Sequence, residues 1–247
     1  MYIPRTNSTN TLLKELLAKG DRRVFGDGHQ GEFFYIRAGF QTAGRGQTGN
    51  GWESEEGKNL LCSILLPTRE NLFELNVVTA VAVQRMLGDG FTIKWPNDIY
   101  WHDKKIAGIL IENALVGNEV RYSIAGIGLN VNQTAWKSDA PNPVSLKQIT
   151  GQTYDIEVLM QRLYAEIQKA LQEELWDYYK AHLYRREGYW PFVEREVNTA
   201  PTMNASSHAP EQFLARVADV LPTGEIVLQD QQGEYRKYHF KQIRYVI

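Results

Sequence analysis

The sequence predicts an α+β fold, in which a mixed β-sheet is flanked by helices and followed by a small β-rich C-terminal domain. Several strand patterns follow one another between residues 91 and 131 with no helical pattern between them. Consecutive strands of this kind favour an antiparallel or mixed sheet over a doubly wound parallel one. Helical patterns lie on both sides of this region. Residues 213–240 then contain three short strand patterns separated by tight turns, which are typical of a small β-barrel.

The N-terminal part contains two predicted helices and two predicted strands. Small polar residues at 8–10, an apolar face of leucines at 12–17 and a terminating Gly20 predict a short first helix. Residues 33–38 predict a strand that leads into the glycine-rich stretch 43–57. The continuous apolar run 59–66 predicts a strand buried on both faces. Residues 75–88 predict a helix that ends at Gly88.

The middle and the end of the chain complete the predicted fold. Strands are expected within 91–95, 99–101, 108–116 and 120–131, and one long amphipathic helix is expected from Asp155 to about His182. Beyond Glu187 the sequence changes to short strand patterns separated by turns. We therefore predict one domain over residues 1–186 and a second over 187–247. Residues 198–212 predict a loop inside or leading to the second domain.

Composition and charge limit the function classes. The chain has 247 residues, 43% of them hydrophobic and 23% charged, which argues against disorder. Its 27 Lys+Arg and 29 Asp+Glu give a net charge of −2, so no broad basic surface is available for nucleic acid. No apolar run approaches the ~20 residues of a spanning helix, and the start of the chain has no signal-peptide pattern. A soluble cytoplasmic protein without membrane or nucleic-acid partners is expected.

The single cysteine, Cys62, excludes an internal disulfide and a multi-cysteine zinc site. It lies in the apolar run 59–66, so we predict a buried, inert thiol.

The glycine-rich stretch has two open interpretations. Residues 44–49 satisfy the G-x-G-x-x-G dinucleotide fingerprint, but the fingerprint requires glycines that open a helix, and residues 50–57 have no helical periodicity. A P-loop is excluded because Asn59 follows Gly57-Lys58. The stretch is therefore either a flexible loop that orders over an anionic ligand or a mobile surface loop.

The other motifs are ambiguous one by one. The segment 94–98 (KWPND) is typical of a structural hairpin, Lys105 alone of a solvated lysine, and residues 8–10 of a helix cap. The two glycines Gly126 and Gly128 allow a close approach of other atoms to the backbone, which alone is a weak signal.

Together the motifs are much more specific. Ser-Thr-Asn, Gln-x-Ala-Gly-Arg-Gly-x-x-Gly-x-x-Trp, Lys-Trp-Pro-Asn-Asp, Lys-x-x-Gly-Ile-Leu and Gly-x-Gly-x-Asn occur in this order between residues 8 and 130. This set closely resembles the catalytic domain of biotin–protein ligases. The resemblance covers most of residues 1–185, and the β-rich tail resembles the small SH3-like C-terminal domain of that family.

The resemblance implies a class II synthetase-like sheet with the active site on one face. It implies that biotin and ATP give biotinyl-5′-AMP, from which biotin passes to a lysine of the biotin carboxyl carrier domain of a carboxylase, such as an acetyl-CoA carboxylase subunit. The implied biotin contacts are Ser8, Thr9, Asn10, Gln41, Gly44, Arg45, Gly46, Lys105, Gly108 and Leu110. The implied nucleotide contacts are Trp52, Lys94, Asn97 and Asn130.

The resemblance also implies three catalytic residues, Arg45, Lys105 and Asp98. Arg45 and Lys105, with Lys94, would offset the repulsion between the two anionic substrates, while Mg²⁺ bridges phosphates. Asp98 would accept the proton of the acceptor lysine or orient its amine, although metal binding or the turn itself would also use this side chain. The loop 44–57 with Trp52 would shield the anhydride from water.

Two departures from the family pattern affect these expectations. Family loops usually carry arginines where this chain has Gln47 and Asn50, so retention of the intermediate is expected to be weaker. The family's repressor members begin with a DNA-binding domain, whereas the first motif here starts at residue 8. We therefore expect a ligase without a repressor role.

The same motifs also allow three rival hypotheses. A lipoate–protein ligase of similar fold, a nicotinamide-dependent oxidoreductase and a non-catalytic biotin-binding module would each use part of these motifs. An edge strand could also pair with a second copy of the chain, so a homodimer is an open prediction.

Overall fold

The structure is a computed structural model that describes residues 1–25, 33–47, 50–117, 119–195 and 212–247. The predicted loop at 198–212 lies outside the described residues except for Gln212. The described strands form two sheets, one of seven strands and one of five.

The larger sheet has the strand order β1-β2-β3-β7-β6-β5-β4. The strands are β1 (Tyr2–Thr6), β2 (Tyr35–Gln41), β3 (Leu60–Leu66), β4 (Thr92–Lys94), β5 (Asp98–Trp101), β6 (Lys104–Val116) and β7 (Glu119–Leu129). Strand β1 is parallel to β2, and all the other neighbours are antiparallel. The predicted mixed sheet is therefore confirmed, although β1 was not predicted.

Six helices are described, and they cover both faces of this sheet. They are α1 (Thr9–Ala18), α2 (Arg22–Phe25), α3 (Glu74–Leu87), α4 (Leu146–Thr150), α5 (Ile156–Ala170) and α6 (Trp176–Ala181). Ala125 and Ile127 of β7 face the main core, which also contains apolar residues of α3 and α5. Side chains alternate along a strand, so Gly126 and Gly128 face the opposite side, where α1 packs through Leu13.

The long helix predicted over 155–182 is wrong in one respect, because the structure has two helices, α5 and α6, with a break between them. The carbonyl of Leu171 accepts a hydrogen bond from Arg69 Nη2 at 2.8 Å. Beyond the break, Trp176 and Tyr179 of α6 pack against the Phe73 ring. These tertiary contacts favour a change of direction that the helical periodicity does not reveal.

The C-terminal domain is a five-stranded antiparallel sheet with the order β11-β10-β9-β8-β12, which fits the predicted SH3-like domain. Its strands are β8 (Trp190–Glu194), β9 (Gln212–Val220), β10 (Ile226–Asp230), β11 (Tyr235–Tyr238) and β12 (Ile243–Tyr245). The sequence predicted β9, β10 and β11 but not β8 and β12.

The two sheets are joined by close contacts near the β4–β5 hairpin. The Trp95 indole donates to the Gly224 carbonyl at 3.0 Å and lies against the Phe240 ring. Lys180 forms an ion pair with Asp219 at 2.7 Å. These contacts place the β12 end of the C-terminal domain beside the hairpin that carries residues 94–98.

Cys62 is 1% exposed, and burial raises the pKa of its thiol to about 12, so the buried thiol is confirmed. None of the described helices has the length and apolar character needed to cross a bilayer.

Candidate active site

A cavity of about 740 Å³ lies between the larger sheet, the glycine-rich loop and the end of the C-terminal domain. Most of the residues predicted for the site line it. These are Ser8, Thr9, Asn10, Gln41, Arg45, Gly46, Trp52, Lys94, Asn97, Asp98, Lys105, Gly108 and Leu110. Gly44 and Asn130 are not among the lining residues. The Asn130 amide instead donates to the Val144 carbonyl at 3.1 Å.

The start of α1 forms the polar corner of the cavity. Ser8 is at the N-cap position but makes no capping hydrogen bond, so its hydroxyl is not used in the way a helix cap would use it. The Thr9 backbone N–H donates to Gln41 Oε1 at 2.8 Å. The Thr9 hydroxyl lies 2.7 Å from the hydroxyl of Ser63, a fully buried residue of β3. The corner therefore presents donors and acceptors held by fixed neighbours.

Glycines make room for two of the side chains that line the cavity. A Cβ added at Gly126 would lie 2.4 Å from Asn10 Oδ1, and one added at Gly128 would lie 2.4 Å from Trp52 Cε2. The indole also lies over Gly108, where an added Cβ would be 3.0 Å away. The close approach predicted for the glycine pair is confirmed. Trp52 Nε1 is buried without a hydrogen-bond partner among the described residues.

The β4–β5 hairpin and β6 bring the predicted catalytic pair together. Asp98 pairs in register with Gly108, and the Asp98 carboxylate forms an ion pair with Lys105 Nζ at 2.7 Å. The Asn97 amide donates to the Ile109 carbonyl at 2.6 Å, which ties the turn to β6. Asp98 and Lys105 are thus partners, with their polar atoms at the cavity wall.

Lys94 is a largely buried cation in the same wall. Burial lowers the pKa of its ammonium group, nearby positive charges lower it further, and Asp98 opposes the shift. The ammonium lies over the aromatic rings of Tyr245, at 4.7 Å, and Tyr100, at 5.3 Å. A bound anion would favour the charged form of such a lysine.

Arg45 lines the cavity from the glycine-rich loop. Its guanidinium Nη2 lies 3.2 Å from Thr11 Oγ1 and 3.4 Å from the carboxylate of Glu112. The same carboxylate forms an ion pair with Lys14 at 2.7 Å. Arg45 and Lys105 therefore line one cavity from two different elements.

Gln47 and Asn50 lie in a turn of the glycine-rich loop. Gly46 N–H donates to the Asn50 carbonyl, and Asn50 N–H donates to the Gln47 carbonyl, both at 2.9 Å. The fingerprint's last two residues, Thr48 and Gly49, lie outside the described residues. Gln47 and Asn50 line the cavity with neutral side chains.

Sequence reasoning left the role of the C-terminal domain open and did not identify the residues that it contributes to the cavity. Its side chains form one wall of the cavity and include three cations. The residues of this wall are Arg195, Phe240, Lys241, Ile243, Arg244, Tyr245, Val246 and Ile247. No motif marks them in the sequence. Ser63 was also missed, although a single polar residue inside the apolar run 59–66 was a usable signal.

No group of three or more metal-ligating side chains occurs among the described residues. Asp98 and Asp103 are the carboxylates that line the cavity. Asp98 is already paired with Lys105, and Asp103 accepts a hydrogen bond from the Tyr184 hydroxyl. This donor set fits a cation carried in by phosphate oxygens better than a resident metal ion.

Known proteins show similarity to the chain in sequence and fold. A sequence model of the Biotin/lipoate A/B protein ligase family matches residues 2–130. The bifunctional ligase/repressor BirA of Bacillus spizizenii is 29% identical over 211 residues, which cover 80% of this chain and 62% of that protein. The biotin–protein ligase of Homo sapiens is 37% identical over 112 residues, which cover 40% of this chain and 15% of that protein. The chain thus spans 62% or less of the length of these two relatives.

A solved structure supports the fold. The biotin protein ligase from Aquifex aeolicus in complex with biotin and ATP has a TM-score of 0.73 and 21% identity to this chain, covering 100% of this chain and 98% of that one. At that identity, the similarity extends to the fold alone.

Proposed function

The chain belongs to the biotin/lipoate A/B protein ligase family, and from that premise we propose that it is an ATP-dependent biotin–protein ligase. It activates biotin with ATP to biotinyl-5′-AMP and pyrophosphate, and then transfers biotin to a lysine of a carrier domain with release of AMP. One observation carries the proposal. A polar corner suited to a small ring and cations from both domains line the same cavity.

The polar corner is the proposed site of the biotin ring. The ureido group of biotin has donors and an acceptor, and a site for it needs complementary groups in fixed positions. Ser8, Thr9 and Gln41 supply hydroxyl and amide groups at that corner. Ser8 is available to a ligand because its hydroxyl makes no capping bond.

The cations serve the first chemical step. A biotin carboxylate oxygen attacks the α-phosphorus of ATP, the new P–O bond forms, and the bond to pyrophosphate breaks. Two unit charges of the same sign about 4 Å apart repel by roughly 4 kcal/mol at an effective dielectric near 20. Lys105 is the proposed bridge between the carboxylate and the α-phosphate, and Arg45 donates to the same anions in a planar fork.

The C-terminal domain is proposed to complete the nucleotide side. Arg195, Lys241 and Arg244 line the cavity from the C-terminal domain. Together with Lys94 they suit the triphosphate and the leaving pyrophosphate, which carry the largest negative charge in the reaction. Mg²⁺ would accompany ATP, held mainly by its phosphate oxygens. Trp52 is the proposed neighbour of the nucleotide base and part of the cover that excludes water.

Asp98 is proposed to act in the second step. The acceptor ammonium, with a reference pKa near 10.4, must lose a proton before its nitrogen can attack the mixed anhydride, which costs roughly 4–5 kcal/mol at pH 7. Asp98 lies beside Lys105, where a carboxylate can accept that proton or orient the amine.

Domain boundaries and partners are also proposals. Residues 1–186 would be the catalytic domain and 187–247 the C-terminal domain, which is supported by the first sheet ending at Leu129 and the second beginning at Trp190. The near-neutral charge of −2 supports the proposal that the protein has no repressor role, and a gel-shift assay with DNA tests it.

Mass spectrometry of a carrier domain tests the proposed function. The carrier is incubated with the protein, ATP, Mg²⁺ and either biotin or lipoate. We expect one added biotinyl group on the carrier and none with lipoate or without ATP. Lipoyl addition would favour the related lipoate chemistry, and an unmodified carrier under all conditions would refute the proposal.

A further inference from the structure

Glu112, in the middle of β6, does not line the cavity. Its carboxylate contacts three side chains, and two of them, Asn10 and Arg45, do line the cavity. Its side chain is 20% exposed. Oε1 accepts from Lys14 Nζ at 2.7 Å, and Oε2 accepts from Asn10 Nδ2 at 2.7 Å. Arg45 Nη2 also lies 3.4 Å from Oε2. One carboxylate therefore joins the start of α1 to the glycine-rich loop.

The contact with Glu112 determines how the Asn10 amide is oriented. A carboxylate can only accept hydrogen bonds, so Asn10 must present its NH₂ group to Glu112. Its Oδ1 then points the other way, where it accepts from the Ser63 hydroxyl. Gly126 leaves the space for that oxygen, because a Cβ there would lie 2.4 Å from it.

The orientation extends from Asn10 to the next two polar groups. Ser63 has one hydroxyl proton, and the amide oxygen of Asn10 cannot donate, so that proton goes to Asn10. The Ser63 and Thr9 hydroxyl oxygens lie 2.7 Å apart. Because the Ser63 proton is already donated to Asn10, Ser63 can only accept in this contact, and the Thr9 hydroxyl donates to it rather than to Gln41 Oε1, which is 3.1 Å away. At the far end, Gln41 Oε1 is fixed by the Thr9 backbone N–H at 2.8 Å, which leaves the Gln41 NH₂ group as a donor for the cavity.

We propose that Glu112 is a positioning residue of the biotin site. Its acceptor-only carboxylate fixes the directions of the hydrogen bonds along Asn10, Ser63 and Thr9, and so the donor and acceptor pattern that the polar corner presents to the biotin ring. The inference rests on the proposed function, because it assigns the ring of biotin to that corner.

Replacement of one carboxylate oxygen of Glu112 by an NH₂ group tests the inference. Glu112→Gln keeps the shape of the side chain but turns one acceptor into a donor, which then faces a donor of Lys14 or of Asn10. A mismatched, partly buried pair of this kind weakens binding by about tenfold. Isothermal titration calorimetry with biotin should therefore show a dissociation constant about tenfold higher than that of the wild type. The kcat at saturating biotin should stay within about threefold.

A double-mutant cycle separates positioning from a general structural effect. In the Asn10→Ala background, Glu112→Gln should change biotin affinity by less than about twofold, because the amide it orients is gone. Equal losses in both backgrounds would refute the proposal. So would a Glu112→Gln variant that binds biotin as the wild type does. Glu119→Gln, an exposed glutamate at the start of β7, is the matched control and should leave affinity unchanged.

A second variant keeps the test decisive if Glu112→Gln does not fold. Ser63→Ala removes the hydroxyl that links Asn10 to Thr9 and should also raise the dissociation constant for biotin by about tenfold. Unchanged affinity would refute the proposal that these hydrogen bonds orient the biotin site. If the wild-type protein binds no biotin, both this inference and the proposed function fail. If it binds biotin but neither variant changes the affinity, only this inference fails.

Discussion

Replacement of Lys105 by alanine is the most informative single change to the cavity. The ammonium lies 2.7 Å from Asp98 Oδ1 and 5.8 Å from the centre of the Trp52 ring. The backbone N–H of Lys105 donates to the Asn142 carbonyl at 2.8 Å, a bond that alanine can also make. Lys105→Ala thus removes a positive charge from the cavity and leaves the strand in place.

The expected loss follows from the charges that must meet in the first step. The repulsion between the biotin carboxylate and one α-phosphate charge is roughly 4 kcal/mol at about 4 Å and an effective dielectric near 20. The loss of one preorganised stabilising group in such a site lowers the rate by about 10²–10³-fold. The side chains of Lys105 and Asp98 are 32% and 23% exposed, so the pair contributes about 1 kcal/mol or less to folding.

Biotin-dependent exchange of labelled pyrophosphate into ATP measures this step without an acceptor. Lys105→Ala should reduce exchange by about 10²–10³-fold, with thermal unfolding close to that of the wild type. Lys169→Ala, which removes an exposed lysine near the end of α5, is the charge-matched control and should keep full exchange. Exchange in Lys105→Ala within about threefold of the wild type would refute the role of this lysine.

Four further predictions follow from the same geometry. Asp98→Asn should slow the transfer of biotin from supplied biotinyl-adenylate to the carrier. Unimpaired transfer in a quenched-flow assay would show that Asp98 has only a structural role in the turn. Gly128→Ala should displace the indole above it, because the new Cβ would be 2.4 Å from a ring atom, and lower stability by about 1–3 kcal/mol in urea unfolding; unchanged stability would contradict this. Gln47→Arg with Asn50→Arg should slow release of the adenylate, measured by filter retention, and an unaltered release rate would show that the missing charges are immaterial. Burial lowers the pKa of Lys94 from 10.5, so protonation of this lysine favours the unfolded chain. Lys94→Met should therefore be more stable than the wild type at neutral pH, and the difference should vanish above about pH 10.5. A stability difference that does not change with pH in urea unfolding would contradict this explanation.

Elements with a strong local pattern could be predicted from the sequence. Strand β3 is apolar except for Ser63, and its buried residues face both sides of the sheet, as such a run implies. Helix α3 has an apolar pattern that ends at Gly88, whose φ of +103° suits glycine. In both elements the information lies within the segment itself.

Elements defined by distant contacts could not be predicted in this way. Strand β1 is short, contains Pro4 and pairs in parallel with β2, with Tyr2 opposite Arg37. Its assignment depends on a partner more than thirty residues away, which no local pattern specifies. The break after α5 is similar, because it depends on the Arg69 contact with Leu171.

The residues of the site also separate into those that a sequence motif marks and those that only tertiary packing brings to the cavity. Motif order predicted that Arg45 and Lys105 serve one cavity, and the structure brings both to its lining. The cations of the C-terminal wall, such as Arg244, reach the cavity only through packing of the two domains. Glu112 lies two residues beyond Leu110 on β6, yet nothing in the sequence marks the groups that converge on it.

The central claim is that cations of both domains converge on one bound pair of substrates. A crystal structure of the protein with biotin and a non-hydrolysable ATP analogue tests it most directly. We expect the biotin ring at the polar corner, its carboxylate within about 3.5 Å of Lys105 or Arg45, and the phosphates beside Lys94 and the C-terminal wall. A ligand bound elsewhere, or a triphosphate that contacts none of these cations, would contradict the account.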